Sequence, residues 1–211
     1  MKKFFQCVIS FVFILSFYNS KGQIPQNGLI VHYGFQGNVN DSSLNSLDGV
    51  NNGATFVTDR YGNANSAISF DGSNDYVKTP NDSLLRPDFP FTVSFWVKLK
   101  SLTLTENEWF TIEDSLGSYS GYFSAAGGSG IGQVAGAYGD GTGGIGPNAR
   151  ISKVSDSLLD TAAWHQIAIV YNGHLDVDVY IDCEDAGGNY TGNGDSLVYF
   201  EIAGALGRRP C

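Results

Sequence analysis

Basic residues are scarce in this chain of 211 residues: 12 lysines and arginines stand against 21 aspartates and glutamates, a formal net charge of −9. A surface of that sign repels phosphate backbones and anionic lipid headgroups, which argues against nucleic acid and acidic membranes as partners. Neutral polymers and divalent cations remain open. Cysteine is almost missing too, with three in all and no Cys-x-x-Cys pair, so zinc-ribbon and thioredoxin-type chemistry have no foothold. Beyond residue 18 no stretch is apolar enough to cross a bilayer as a helix. Helical periodicity is nearly absent, and its best candidates, residues 82–86 and 156–164, amount to a turn or two each.

The one long apolar run opens the chain. Lys2 and Lys3 precede an apolar stretch over residues 7–18, and Ser20-Lys21-Gly22 puts small residues where a signal peptidase reads. Residues 1–22 are therefore expected to be a secretory signal peptide, with 23–211 as one globular domain, secreted or held at the cell surface. Cleavage removes Lys2, Lys3 and Lys21 and no acid, moving the net charge from −9 to −12. Cys183 and Cys211 remain, and an even count in an oxidising compartment makes a disulfide between them the default.

Strand signals are frequent. Phe89, Phe91, Val93, Phe95, Val97 and Leu99 alternate with Pro90, Thr92, Ser94, Trp96 and Lys98, the period of a half-buried strand. Residues 164–171 form a second run, Asn172-Gly173 supplies a turn, and Val177, Val179 and Ile181 alternate on the way back. Shorter candidates lie at 29–35, 54–57, 67–70, 76–79, 109–112 and 197–203. Many short strands punctuated by Gly, Asn and Asp predict an all-β, antiparallel two-sheet β-sandwich. Residues 127–146 hold ten glycines in twenty and are expected to form a flexible surface loop. Gly130-Ile131-Gly132 is no dinucleotide fingerprint, because the third glycine is misplaced and no helix follows.

Five strings now occur in a suggestive order: GLIVHYGFQGNVNDSS (28–43), AISFDGSNDYV (67–77), FTVSFWV (91–97), WHQIAIVYNG (164–173) and VYIDC (179–183). Together they resemble the laminin-G-like, concanavalin A-like jelly-roll domains of bacterial secreted proteins. The resemblance implies a jelly roll with one concave sheet, serving in carbohydrate binding or adhesion, or as an accessory module beside an enzyme. It also implies one more strand after residues 206–208, lying beside 29–35. That strand is missing here, so the fold is expected to lack it and 23–211 to be C-terminally incomplete.

The connection at Asp71, Asn74 and Asp75 has two readings. Asp and Asn in turns bond their own backbone, and this is the expected role. Three such side chains with nearby carbonyls also supply part of the oxygen shell that calcium needs, which makes calcium the candidate cofactor. Asp41 is a second candidate metal position, although relatives carry Asp after the first-strand Phe, where this chain has Gln36.

Catalytic signals are few. Hydrolases on this fold carry a Glu-x-Asp-x-x-Glu strand, which is absent, and the adjacent Glu113 and Asp114 would point to opposite faces of a strand. His174, Asp176 and Asp178 share one face as metal ligands or, more simply, as a solvated surface. His32, His165 and His174 lack any nucleophile motif. The chain is accordingly read as a non-enzyme.

Neutral sugars are held by aromatic rings and by amide or carboxylate hydrogen bonds. Trp109, Tyr119, Tyr122 and Tyr138, around the glycine-rich segment, are the candidate ligand-binding residues, each open to being a core aromatic instead. Trp96 lies opposite the apolar face of its strand, as a stacking platform or under a loop. The expected function is a secreted, non-catalytic carbohydrate-binding or adhesion module. Its expected partners are a polysaccharide or glycoconjugate and further domains of a longer chain. The alternatives are a glycoside hydrolase-type enzyme and a protein-binding cell-surface domain. Asp-Ser-Leu at 82–84, 114–116, 156–158 and 195–197, with Asp-Thr-Ala at 160–162, also resembles an acceptor for periplasmic O-glycosylation.

Overall fold

A computed structural model describes residues 24–102, 107–112, 119–126, 130–142 and 146–207. The proposed leader, residues 1–22, lies outside them, as do Glu113, Asp114 and Cys211. The described residues form two main antiparallel sheets and a small hairpin, so the all-β sandwich is what the chain builds. In chain order the strands are β1 (Val50–Asn52), β2 (Thr55–Val57), β3 (Ala67–Ser69), β4 (Tyr76–Lys78), β5 (Phe91–Val97), β6 (Asn107–Ile112) and β7 (Ser120–Ala126). They continue as β8 (Gln133–Asp140), β9 (Arg150–Leu158), β10 (His165–Gly173), β11 (Asp176–Ile181), β12 (Glu184–Asp185), β13 (Asn189–Gly192) and β14 (Ala205–Leu206). The larger sheet runs β1-β4-β14-β6-β7-β8-β9-β13, the smaller β12-β11-β10-β5, and β2 pairs with β3 apart from both.

Alternation decides which side of the smaller sheet meets the core. Ile167, Ile169 and Tyr171 of β10 pair with Phe95, Val93 and Phe91 of β5. The three β10 residues, with Val177 and Val179 of β11, are at most 1% exposed. Burying an aliphatic side chain completely contributes about 1.5–3 kcal/mol, so this inward row is a main source of stability. Across the sandwich it meets Phe110, Ile112, Tyr122, Val134, Tyr138 and Ile151 of the larger sheet. Aromatic rings fill the middle: Phe91 stacks on Tyr171 and tilts against Tyr122, each at 4.6 Å between centroids. A one-residue slip of β5 against β10 would bury Trp96 and Ser94 and expose Phe95, so the register is strongly specified.

Several local expectations need correction. The glycine-rich stretch is no surface loop, because its middle is β8, paired along its length with β7 and β9 near the centre of the larger sheet. Its glycines serve close packing: a Cβ at Gly136 would collide with Ile169, and one at Gly139 with the backbone of Tyr119. Composition cannot distinguish a strand of small residues from a loop, since both look low in complexity. Residues 156–164 are not helical. β9 extends to Leu158, and Asp160 then makes a turn by accepting bonds from Ala162 and Ala163.

Residues 29–35 form no strand, apart from an isolated bridge between Tyr33 and Asp41. Their backbone is satisfied locally: His32 N donates to Asp41, and Ser43 Oγ and Asn45 Nδ2 donate to the Ile30 carbonyl. Residues 197–203 are irregular as well, tied by Val198 to Gly121 and Gly139, and the strand falls at β14 instead. The short helical expectation at 82–86 is met by a 3-10 turn, Ser83–Leu85, capped by the Asp82 side chain. Among the described residues no helix is long and apolar enough to cross a membrane.

Candidate functional site

The structure buries three of the four expected ligand-binding aromatics, Tyr119, Tyr122 and Tyr138, and leaves Trp109 half-buried. Tyr138 is fully buried in β8, its hydroxyl accepting from Leu175 N at 3.1 Å and lying 3.2 Å from His174 Nδ1. Tyr122 is 4% exposed and packs among Phe91, Phe110, Tyr171 and Tyr199. Burial raises its phenol pKa. Tyr119 is buried, stacked on Phe123 at 5.9 Å with the Arg150 guanidinium 4.9 Å above it. Trp109 is partly buried and meets Phe95 edge-on at 5.3 Å, as part of the sandwich interior. A ring whose faces are filled by protein cannot stack on a sugar. The sequence could not show this, because β7 and β8 are buried on both faces and lack the in–out alternation that marks an open surface.

The acidic positions act on their own loops. Asp71 Oδ1 accepts from the backbone of Ser73, Asn74 and Asp75 at 2.8, 3.2 and 3.3 Å, while Asp71 N donates to Asp75 Oδ2 at 3.1 Å. Those bonds, led by Ser73 N, hold the Asp71 carboxyl below the usual range. Asp41 takes four: His32 N and Ser43 N on Oδ1, Ser43 Oγ and Leu47 N on Oδ2. Burial pushes its pKa up, and these hydrogen bonds outweigh that and lower it. Asp41 belongs to the 32–48 loop region, and among the described residues no three His, Cys, Asp or Glu side chains converge as a metal-binding group. Cys183 is exposed in the turn after β11, and its expected partner Cys211 lies outside the described residues.

The histidines are likewise occupied. His165 is 9% exposed, with Nδ1 2.8 Å from Asp182 and Nε2 3.3 Å from Asp160, so both ring nitrogens are held by carboxylates and neither is left to take a proton from a nucleophile. His32 Nδ1 lies 2.6 Å from Ser42 Oγ, but the same hydroxyl is 3.0 Å from the His32 carbonyl and clamps the loop. A depression of about 240 Å³ beside it is lined by His32, Phe35, Gln36, Asn38 and Asn40 among others. That is below the usual size of a small-molecule pocket. His174 lies in the β10–β11 turn rather than on the strand, so it does not join Asp176 and Asp178; Asn172 Nδ2 bonds those two instead.

What remains is the outward face of the smaller sheet. Thr92, Ser94 and Trp96 point outward from β5, and Gln166, which pairs with Trp96, donates to Ser94 Oγ at 2.8 Å. Trp96 is 44% exposed. The loop between β2 and β3 covers part of it, and the covering group is a guanidinium. Arg60 Cζ lies 4.1 Å from the Trp96 ring centroid and 4.2 Å from that of Tyr61, which is itself 73% exposed. Arg60 Nη2 donates to Tyr61 Oη at 2.9 Å.

The loop that presents these groups is built by Asp59. Its carboxylate accepts from Tyr61 N and Asn63 N at 2.9 Å and from Asn63 Nδ2 at 3.0 Å. Arg60 has no ion-pair partner among the described residues. The farther side of the same sheet is acidic, with Asp176 and Asp178 on β11. The arrangement therefore offers two exposed rings, one cation with spare N–H donors and a nearby amide. Sequence reasoning flagged Trp96 but missed Arg60 and Tyr61, because 35 residues separate them from the tryptophan. The available signal was an Arg-Tyr pair in an Asn/Gly/Asp-rich turn of a chain poor in bases.

The two antiparallel sheets define a jelly-roll-like β-sandwich. The profile of the concanavalin A-like lectin/glucanases superfamily, laminin G type, matches residues 71–210, and the chain belongs to that superfamily. Two solved structures share the fold. The binding domain of Paraclostridial Mosquitocidal Protein 1 aligns with a TM-score of 0.58 at 15% identity, over 81% of this chain and 42% of that one. The botulinum neurotoxin serotype D binding domain aligns with a TM-score of 0.56 at 17% identity, over 80% and 40%. This chain thus spans about two fifths of either. Comparison with curated protein sequences gives no match.

Proposed function

We propose that this protein is a secreted, non-catalytic carbohydrate-binding module whose site is the Trp96–Arg60–Tyr61 face. The observation that carries the reading is the exposed pair of aromatic rings joined by a guanidinium, on a sheet face shared with Thr92, Ser94, Gln166, Val170 and Tyr180. Rings stack on the C–H faces of a sugar, while Arg60, Gln166 and Ser94 offer donors and acceptors for its hydroxyls. Membership of a superfamily that includes lectins supports binding, as does likeness to structures described as binding domains. The want of a Glu-x-Asp-x-x-Glu string in the sequence supports a non-catalytic role in a superfamily that also includes glucanases. The apolar residues 7–18 behind Lys2 and Lys3 support secretion.

A glycan array probed with the protein, followed by calorimetry on a bound glycan, tests the reading. Trp96→Ala is expected to weaken binding by about 1–2 kcal/mol with the fold intact. Unchanged affinity in that variant removes this face from the site, and release of cleaved sugar would replace the module by an enzyme.

A further inference from the structure

We propose that the sugar taken at this face carries a carboxylate, which Arg60 receives; the inference rests on the carbohydrate-binding reading above. A guanidinium has five N–H donors in one plane, and Arg60 spends one, from Nη2, on Tyr61. The ring centroids of Trp96 and Tyr61 lie 4.1 and 4.2 Å from its Cζ, and the donors not spent on Tyr61 remain along the edge of its plane. A carboxylate fits such an edge with two parallel, charge-assisted bonds, whereas a hydroxyl meets it with one neutral acceptor.

Two further observations agree. Arg60 has no ion-pair partner among the described residues, in a chain with nearly twice as many acids as bases. Asp59, its immediate neighbour, bonds Tyr61 N and the Asn63 amide groups and meets Arg60 only through space, as a minor contribution to its own lowered pKa. Lys98 is exposed two residues beyond Trp96 and adds a second positive charge. Lys100 is already committed to the Phe70 carbonyl at 2.8 Å. The acids Asp176 and Asp178, on the far side of the sheet, would repel the same ligand and orient it along the β5 edge.

Calorimetry on the full chain with matched acidic and neutral sugars decides between the possibilities. The probes are trigalacturonic acid against galactotriose, and sialyllactose against lactose. At least one acid is expected to bind ten-fold or more tightly than its neutral counterpart, with the difference shrinking as salt is raised. Arg60→Gln should abolish the preference, bringing the acid and its neutral counterpart to one affinity in that variant, while Arg60→Lys should retain part of it. Equal binding of acid and neutral sugar, or a preference that survives Arg60→Gln, overturns the carboxylate inference. A neutral affinity lost in Trp96→Ala would in that case leave the carbohydrate-binding reading standing. Failure of all four sugars to bind at millimolar concentration overturns both.

Discussion

His165 ties two loops together, the turn at Asp160 and the one at Asp182, and it makes folding depend on pH. Burial lowers its basicity, but the hydrogen bonds and charges of Asp182 and Asp160 outweigh this and hold its pKa above the ordinary 6.5. Because the folded-state value is raised, this stabilisation is complete below the unfolded pKa and is lost as pH rises through the folded one. The two aspartates are lowered, so their share is present above the ordinary 3.8 and lost as pH falls through their folded values. Thermal melts from about pH 6 to about pH 9 should therefore show Tm falling as His165 deprotonates. His165→Gln should flatten that slope, and an equal slope in the variant would mean another group titrates. Tyr171 illustrates a different residue-scale effect, with its buried hydroxyl donating to the Phe123 carbonyl at 2.9 Å across the sandwich. Tyr171→Phe leaves that carbonyl without this donor and should cost about 1–2 kcal/mol in urea unfolding.

Among the elements, β8 departs most from its local sequence. Strands rich in glycine and alanine are weak by propensity, yet this one is held between β7 and β9 with ladders on both sides. Its small residues allow the opposite sheet to approach closely. Gly136 and Gly173 provide a matched comparison. A Cβ at Gly136 would enter the space of Ile169, whereas one at Gly173, at the end of β10, meets nothing within 4 Å. Gly136→Ala should lose about 1–3 kcal/mol by overpacking. Gly173→Ala should stay within about 0.5 kcal/mol. Comparable losses in both would show that backbone freedom, not packing, explains the glycines of β8.

For the molecule as a whole, core and proposed binding face lie on opposite sides of the smaller sheet, so stability and binding should separate. Tyr122→Ala and Tyr138→Ala remove rings from the packed interior and are each expected to cost about 3–5 kcal/mol. Trp96→Ala should change unfolding by less than about 1 kcal/mol while reducing glycan affinity. Asp71–Asp75 are proposed to act as a turn rather than as a calcium site. The Asp71 oxygen that would bind the ion already accepts three N–H groups, so chelation is expected to leave Tm nearly unchanged. A fall of more than roughly 8 °C that Asp71→Ala abolished would establish a metal there.

The strands with clear in–out alternation, β5, β10 and β11, were legible from period two alone, because each has one face on the core and one in solvent. With them came the sandwich class and the outward position of Trp96. The Asp71 turn was legible as well, since its hydrogen bonds run only to residues within four positions. Local pattern could not reveal β7 and β8 as strands with both faces buried, nor could it deny a strand to residues 29–35. Whether a backbone pairs depends on neighbours distant in sequence. The proposed site has the same origin. Trp96, Arg60 and Tyr61 are unremarkable in their own segments, and they become a surface only when the β2–β3 loop folds over β5, a contact set by tertiary packing between elements distant in the chain.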